Sequence, residues 1–450
     1  MKGIEDACYW LSRGRPPQSS PLKTDSSTDI AIVGAGFTGL WTAHFLKSIA
    51  PEQEIAVVEQ GVTGYGASGR NAGIISNCID HTHSLAIKHF GLEEAQRLAA
   101  IGLKNIDELE EFADGCDMER TGQLFIALKD KHLEDLQALV KTAENLNIPG
   151  YAMLDQKQAR SRLNSHLYKG AAFVPGGGVI DPIKLVDKLK TSTESLGVKF
   201  YERTKISALT ENGLQAEGCT LSARKIILAT DAYSHHLLPE LLPRFIPLYD
   251  YIIVSEPLSE SQLRAIGWAG REGITDCRTF FNYYRLTKDN RILWGTSEAV
   301  YYPPNQVGEK HDQSQSHNLS LKASFDRHFP ELSNLKFPYS WGGPIASTTR
   351  LTPFFGTARG GKVIYGMGYT GHGIGSTRLA GKILAHMALE RDSELLSLKL
   401  VKNKPMPYPP EPLRGMAVNM VTNSLRNVDA GKSPDLLLRF LDLMGIGFSS

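Results

Sequence analysis

Three glycines at positions 34, 36 and 39 lie between an apolar run, DIAIV at 29–33, and the segment LWTAHFLKSIA, whose Leu40, Ala43 and Leu46 recur at helical spacing. At such a corner Gly34 permits a tight turn, Gly36 admits a pyrophosphate to the backbone, and Gly39 lets helix and strand pack closely. The helix start, with Phe37 and Thr38, presents unpaired N–H groups and a positive dipole end to phosphates. Glu59, followed by Gln60, closes a second apolar run, EIAVVE, and its carboxylate can accept both ribose hydroxyls. Strand, helix, strand and acid in register predict an adenine dinucleotide site; the fingerprint alone leaves NAD(P) and FAD both open.

Two further glycine-rich stretches extend the pattern. GYGASGRNAG at 64–73 supplies Gly66, Ala67, Ser68, Arg70, Asn71, Ala72 and Gly73, small residues suited to a chain running along the rest of an extended dinucleotide; on composition alone a flexible surface loop stays open. Arg70 is either a surface charge or a phosphate partner. The third stretch, at 366–375, brings Gly371, His372, Gly373, Ile374 and Gly375 to a second strand-to-helix corner. A helix starting near Ser376 would aim its positive end at the N1–C2=O edge of a flavin and stabilise the anion formed on reduction. Nicotinamide has no such need, so this corner favours a flavin, with a plain capping loop as the alternative.

Candidates for a substrate pocket are Tyr249, Tyr251, Tyr283, Trp341 and Tyr369, with His372 and Arg350 as polar members able to hold an anionic group. Aromatic residues on half-buried strands also serve as core or rim. Cys78, Asp80, His81 and His83 lack a partner set at defined spacing, so no metal is expected there. His235-His236 reads as a solvated or helix-end pair.

The elements that position these residues must come from 450 residues with 42% apolar and 22% charged side chains. That balance excludes disordered, fibrous and collagen-like chains and predicts two or three domains. Lys plus Arg number 49 and Asp plus Glu 48, so charge provides no broad attraction to nucleic acid or membrane, and neither is an expected partner. Five dispersed cysteines, none spaced as CxxC, argue against a disulfide framework and for a reducing compartment. Without a leader-like apolar core at the start, or a run of about 18 apolar residues anywhere, a soluble cytoplasmic protein is expected.

Residues 1–28 read as an irregular arm that Tyr9, Trp10 and Leu11 can pin to the surface. Helical spacing occupies 93–112 and 131–146, around a strand at 123–128. Asp181-Pro182 opens a helix closed by Gly197. Residues 247–257 are strand-like, and FNYYRLTKDNRILWGT is a hairpin turning at 288–290. KVIYGMG is a strand, STRLAGKILAHMALE a helix, KPMPYPPEP cannot be helical, and a last helix is expected over 436–443.

Together these segments resemble the glycine oxidase and D-amino acid oxidase superfamily of FAD-dependent amine oxidoreductases over most of the chain. The resemblance rests on IVGAGFTGLWTA, GYGASGRNAG, ATDAYS after KIILA, YYRLTKDNRILWGT, YSWGGP, LTPFFG, GYTGHGIGSTRLAGKILA and PYPPEPLR. It is strongest toward the gamma-glutamylputrescine oxidases and the aminophosphonate oxidoreductases. It implies a mixed α/β chain in which a Rossmann-type FAD-binding domain is interleaved with a substrate domain whose antiparallel sheet roofs the flavin. The implied division is an arm (1–28), FAD-binding segments (29–90, 150–245 and 345–400), substrate segments (91–149 and 246–344) and a C-terminal extension (401–450). The resemblance places GASGRNAG under the flavin, closes ATDAYS on the adenine half, and adds Ile206, Ala229 and Thr230 to the cofactor residues. Asp231 stands where Asn is commoner, and Thr349-Arg350-Leu351 departs from the residues usual before the Pro-Phe-Phe-Gly segment. No cysteine lies beside the third glycine stretch, so FAD should be noncovalent.

The implied activity is oxidation of a small primary or secondary amine, aminophosphonates and amino-acid-like amines included. The imine formed hydrolyses to an aldehyde or keto product, hydride passes to flavin N5, and dioxygen reoxidises the flavin to give hydrogen peroxide. The chemistry needs no protein nucleophile, so His372, Tyr251, Tyr283, Trp341 and Arg350 are expected to position substrate. A dehydrogenase with another acceptor and a non-catalytic flavin-binding protein are the alternatives, while balanced charge disfavours a tRNA-modifying flavoenzyme. The oligomeric state is open.

Overall fold

Ile30 to Val33 are buried on both faces of the strand Ser26–Val33, as a parallel strand covered by helices requires. In the computed structural model, which describes residues 3–446, this strand lies between Cys219–Leu228 and Ile55–Val58, parallel to both, with Ile32 opposite Ile227 and Val57. The first two residues of the arm and the last four of the C-terminal extension lie outside the described residues. Val363–Met367 pairs in parallel with the far side of Cys219–Leu228. One strand therefore separates the two that carry the first and third glycine stretches, and both stretches emerge at the same sheet edge. The helices that follow, Phe37–Ile49 and Gly373–Ala388, meet where a Cβ on Gly381 would lie 2.6 Å from Trp41 Cβ.

A second eight-stranded sheet runs in the order Tyr339–Ser347, Ile246–Val254, Ile292–Tyr301, Asn282–Leu286, Gly273–Asp276, Gln123–Ala127, Gly170–Val174, Ala152–Leu154. It is antiparallel except where Gly273–Asp276 pairs in parallel with Gln123–Ala127. The strands Ala152–Leu154 and Gly170–Val174 thus join this sheet, although the division implied by the resemblance groups 150–245 with the FAD-binding segments. Short apolar runs carry no mark of which sheet receives them.

The arm is more ordered than expected. Ile4–Ala7 makes a helical turn, and Cys8, Tyr9, Trp10 and Leu11 are buried in the main core. Of the helices that were not anticipated, two border the cavity described below: His83–Phe90, capped by Thr82, and Leu413–Asp429 directly after the proline run. The second hides because its Met416 and Met420 are exposed while Val418 and Val421 line a cavity, so apolar residues cover more than one face. Among the described residues no helix is long and apolar enough to cross a membrane.

Candidate active site

A cavity of about 1290 Å³ takes in both glycine corners and the underside of the second sheet. That exceeds the roughly 300–1,000 Å³ of an ordinary ligand pocket and suits a long two-part ligand with a substrate beside it. Gly34, Gly36, Phe37 and Thr38 line one end. Gly34 has a φ of +104°, and a Cβ there would lie 2.6 Å from the Ala229 carbonyl oxygen. Gly39 lies behind the lining; its Cβ would sit 2.0 Å from the Gly34 oxygen, so its contribution is the helix-to-turn packing that the spacing predicts. The Phe37 N–H donates to Ser68 Oγ at 2.8 Å. Glu59 accepts from the Ala35 N–H and the Gly61 N–H, each at 2.9 Å, while burial pushes its carboxyl upward. Gln60, Ile206, Ala229 and Thr230 complete this end.

Gly66, Ala67, Ser68, Arg70, Asn71, Ala72 and Gly73 line the middle. Their loop is clamped from both sides: Trp341 Nε1 donates to the Arg70 carbonyl at 2.8 Å and Trp10 Nε1 to the Asn71 carbonyl at 2.9 Å. Arg70 is not a surface charge. It is 3% exposed, pairs with Asp312 at 2.8 Å and donates to the Gly342 carbonyl at 3.0 Å.

Gly371, His372, Gly373, Ile374 and Gly375 line the third region at the start of Gly373–Ala388, whose N-terminus has no side-chain cap. Asn105 Nδ2 donates to the Gly375 carbonyl at 2.9 Å. The Asp231 carboxylate accepts from the Gly368 N–H at 2.9 Å and the Ala346 N–H at 3.1 Å, tying ATDAYS to the third glycine stretch and the roof. His372 packs edge-on against His81, ring centroids 4.2 Å apart, and burial lowers its pKa, keeping it neutral.

The roof corrects two of the expected catalytic residues. Along Ile246–Val254, Leu248, Asp250 and Ile252 face the cavity, while Tyr249 and Tyr251 point to the opposite side. Tyr249 Oη accepts from the Gly308 N–H at 2.7 Å; Tyr251 donates to the His311 carbonyl at 2.9 Å and stacks on His317. In Tyr-Asp-Tyr the cavity position falls to the acid, because strand parity inverts every side chain together. Arg350 is also withdrawn from the pocket: it donates to Thr352 Oγ1 and to the carbonyls of Asn403, Pro353 and Leu400. Tyr283, Trp341 and Tyr369 do line the cavity, with Tyr369 Oη accepting from Thr38 Oγ1 at 2.9 Å.

Asp250 is the residue that the sequence did not single out. Its Oδ2 accepts from the Tyr283 hydroxyl at 2.5 Å and its Oδ1 from the Tyr251 N–H at 2.8 Å. Burial pushes the carboxyl up to about 7, against the Tyr283 hydrogen bond, which favours the ionised form. Phe125, Tyr151 and Phe281 line the cavity too, as do Val418, Val421 and Leu425 of Leu413–Asp429 and Leu441 of Leu436–Leu443, giving the C-terminal extension a place in its wall. The segment at 78–83 also departs from expectation, since Cys78, Asp80 and His83 converge.

A dinucleotide cradle on parallel strand ends, beneath an antiparallel roof, defines a flavin-dependent oxidoreductase. The chain belongs to the DAO family of FAD dependent oxidoreductases, whose family model matches residues 29–387. It is 30% identical over 394 residues to gamma-glutamylputrescine oxidoreductase of Escherichia coli, covering 86% of this chain and 89% of that protein. To a Haemophilus influenzae protein named probable oxidoreductase OrdL it is 29% identical over 401 residues, covering 86% and 89%. Glycine oxidase from Geobacillus kaustophilus shares the fold, with a TM-score of 0.68 at 20% identity over 84% of this chain and 99% of that one. The residues present fit FAD: glycines at 34 and 36 whose Cβ atoms would fill the cradle, and a second uncapped helix start at the far end.

Proposed function

We propose that this FAD-dependent oxidoreductase oxidises a cationic primary or secondary alkyl amine, received by Asp250, to an imine. The observation that carries this reading is a half-buried carboxyl on the cavity side of the roof strand, with no cation paired to it among the described residues and its own pKa raised to about 7. An ammonium ion entering beside it gains a charge-assisted hydrogen bond, and Asp250, ionised, takes one ammonium proton to leave the neutral nitrogen that oxidation requires. The Tyr283 hydroxyl holds the carboxylate in place. Trp341, Phe281 and Tyr151 offer apolar walls to the carbon chain, and Val421 and Leu441 exclude water on the side of the C-terminal helices. Bound in the cradle, noncovalent FAD supplies the acceptor for the hydride leaving the carbon next to nitrogen. Water then adds to the imine, giving an aldehyde or keto product and free amine or ammonium.

With Arg350 committed to four protein oxygens, nothing in this reading places a carboxylate or phosphonate clamp at that position. The amine, not an acid group beside it, is what the pocket recognises. The E. coli relative is named for a putrescine derivative, which supports an alkyl amine as the substrate class. Dioxygen is the proposed oxidant of the reduced cofactor. Oxygen uptake and peroxide release, measured with putrescine, acylated putrescines, glycine and aminoethylphosphonate, test the reading. Turnover is expected with the alkyl amines; turnover confined to glycine or the phosphonate would refute it.

A further inference from the structure

We propose that Cys78, Asp80 and His83 form a site for one divalent transition-metal ion of the zinc class in the cavity wall. The residues belong to the short stretch between the strand Ile74–Ile75 and the helix His83–Phe90. A thiol sulfur, a carboxylate oxygen and an imidazole nitrogen there lie within 4.8 Å of one another, and Cys78 Sγ is 3.3 Å from the His83 ring nitrogens. His81 turns away at a φ of +84° to pack on His372, leaving the other three to converge.

A second observation points to a cation at this place. Asp80 is 1% exposed, and its Oδ2 is buried without a hydrogen-bond partner. An ionised carboxylate in that state is costly unless a positive charge meets it. Of the cationic side chains in the cavity wall, Arg70 is engaged with Asp312 and Arg414 with Asn305 and the Pro409 carbonyl, while Lys205 belongs to the first glycine corner beside Ile206. Zinc bonds of about 2.0–2.3 Å to sulfur, nitrogen and oxygen place ligand atoms roughly 3–4 Å apart, near the spacing seen. A sulfur and imidazole pair favours a borderline-soft ion over Mg²⁺ or Ca²⁺. Cys78 and His83 both line the cavity, so a fourth ligand can come from that side. This site is independent of the amine reading.

The test uses the FAD-loaded protein, stripped of metal by chelator dialysis and titrated with Co²⁺ and, separately, with Zn²⁺. One equivalent should bind, Co²⁺ should give a thiolate-to-metal charge-transfer band in the difference spectrum, and Asp80→Asn and Cys78→Ser should each weaken Zn²⁺ binding at least ~10-fold. FAD content serves as the folding control. If a variant loses FAD, the wild-type cobalt spectrum decides. No charge-transfer band in the wild type, or undiminished Zn²⁺ affinity in a folded Cys78→Ser protein, overturns the site.

Discussion

Tyr283 reaches the Asp250 carboxylate by lying across Gly295 of the strand between them. The hydroxyl is 2.5 Å from Asp250 Oδ2, and a Cβ on Gly295 would sit 2.2 Å from Tyr283 Cζ. Three neighbouring strands therefore contribute an acid, a clearance and a donor to one contact, and the contact faces the cavity in which FAD and substrate would meet.

Asp250→Asn removes the proton acceptor while keeping the shape. Its kcat/KM should fall about 10²–10⁴-fold with FAD content unchanged. In the wild type, activity should rise as pH passes upward through about 7, because the ionised form of a carboxyl raised by burial is the competent one. That limb should vanish in the variant; an unchanged pH profile would contradict the assignment.

Tyr283→Phe deletes the donor that favours the carboxylate, so Asp250 should hold its proton to higher pH and the acidic limb should move upward. Gly295→Ala should move the limb in the same direction by displacing the ring. Steady-state pH profiles of kcat/KM check both.

Gly36→Val places a branched side chain at the phosphate approach, where even a Cβ would lie 2.9 Å from Ser68 Oγ. FAD affinity should fall at least ~10-fold, about 1.4 kcal/mol, and the protein should purify nearly colourless. Full flavin absorbance would count against the placement of the pyrophosphate.

Arg350→Met should act on folding. Four oxygens lose a guanidinium donor, at a cost of at least about 2 kcal/mol, so the melting temperature should fall while KM for amines in the folded fraction stays near wild type. A selective rise in KM at unchanged melting temperature would return Arg350 to the substrate site.

The cofactor half was legible because its chemistry is local. Gly34, Gly36 and Glu59 occupy fixed offsets from one strand and one helix, and the glycines at 371–375 follow a strand directly, so short-range pattern specifies both corners. The substrate half depends on which way a strand faces and on residues far apart in the chain. Tyr249 and Tyr251 read as pocket members and Asp250 between them is passed over, because the sequence of a strand buried on both faces does not say which face meets the cavity. Arg350 looked available because its partners at Leu400 and Asn403 arrive 50 and 53 residues later. Asp80 and His83 looked like scattered loop residues because their convergence depends on the turn at His81.

The central claim is that FAD sits between the two glycine corners with a cationic amine beside Asp250. Anaerobic mixing of the yellow protein with putrescine and its acylated derivatives tests it most directly. Bleaching of the flavin band in wild type, slowed at least ~100-fold in Asp250→Asn at equal FAD content, is the predicted result. A flavin that dithionite bleaches but no alkyl amine reduces would contradict the account.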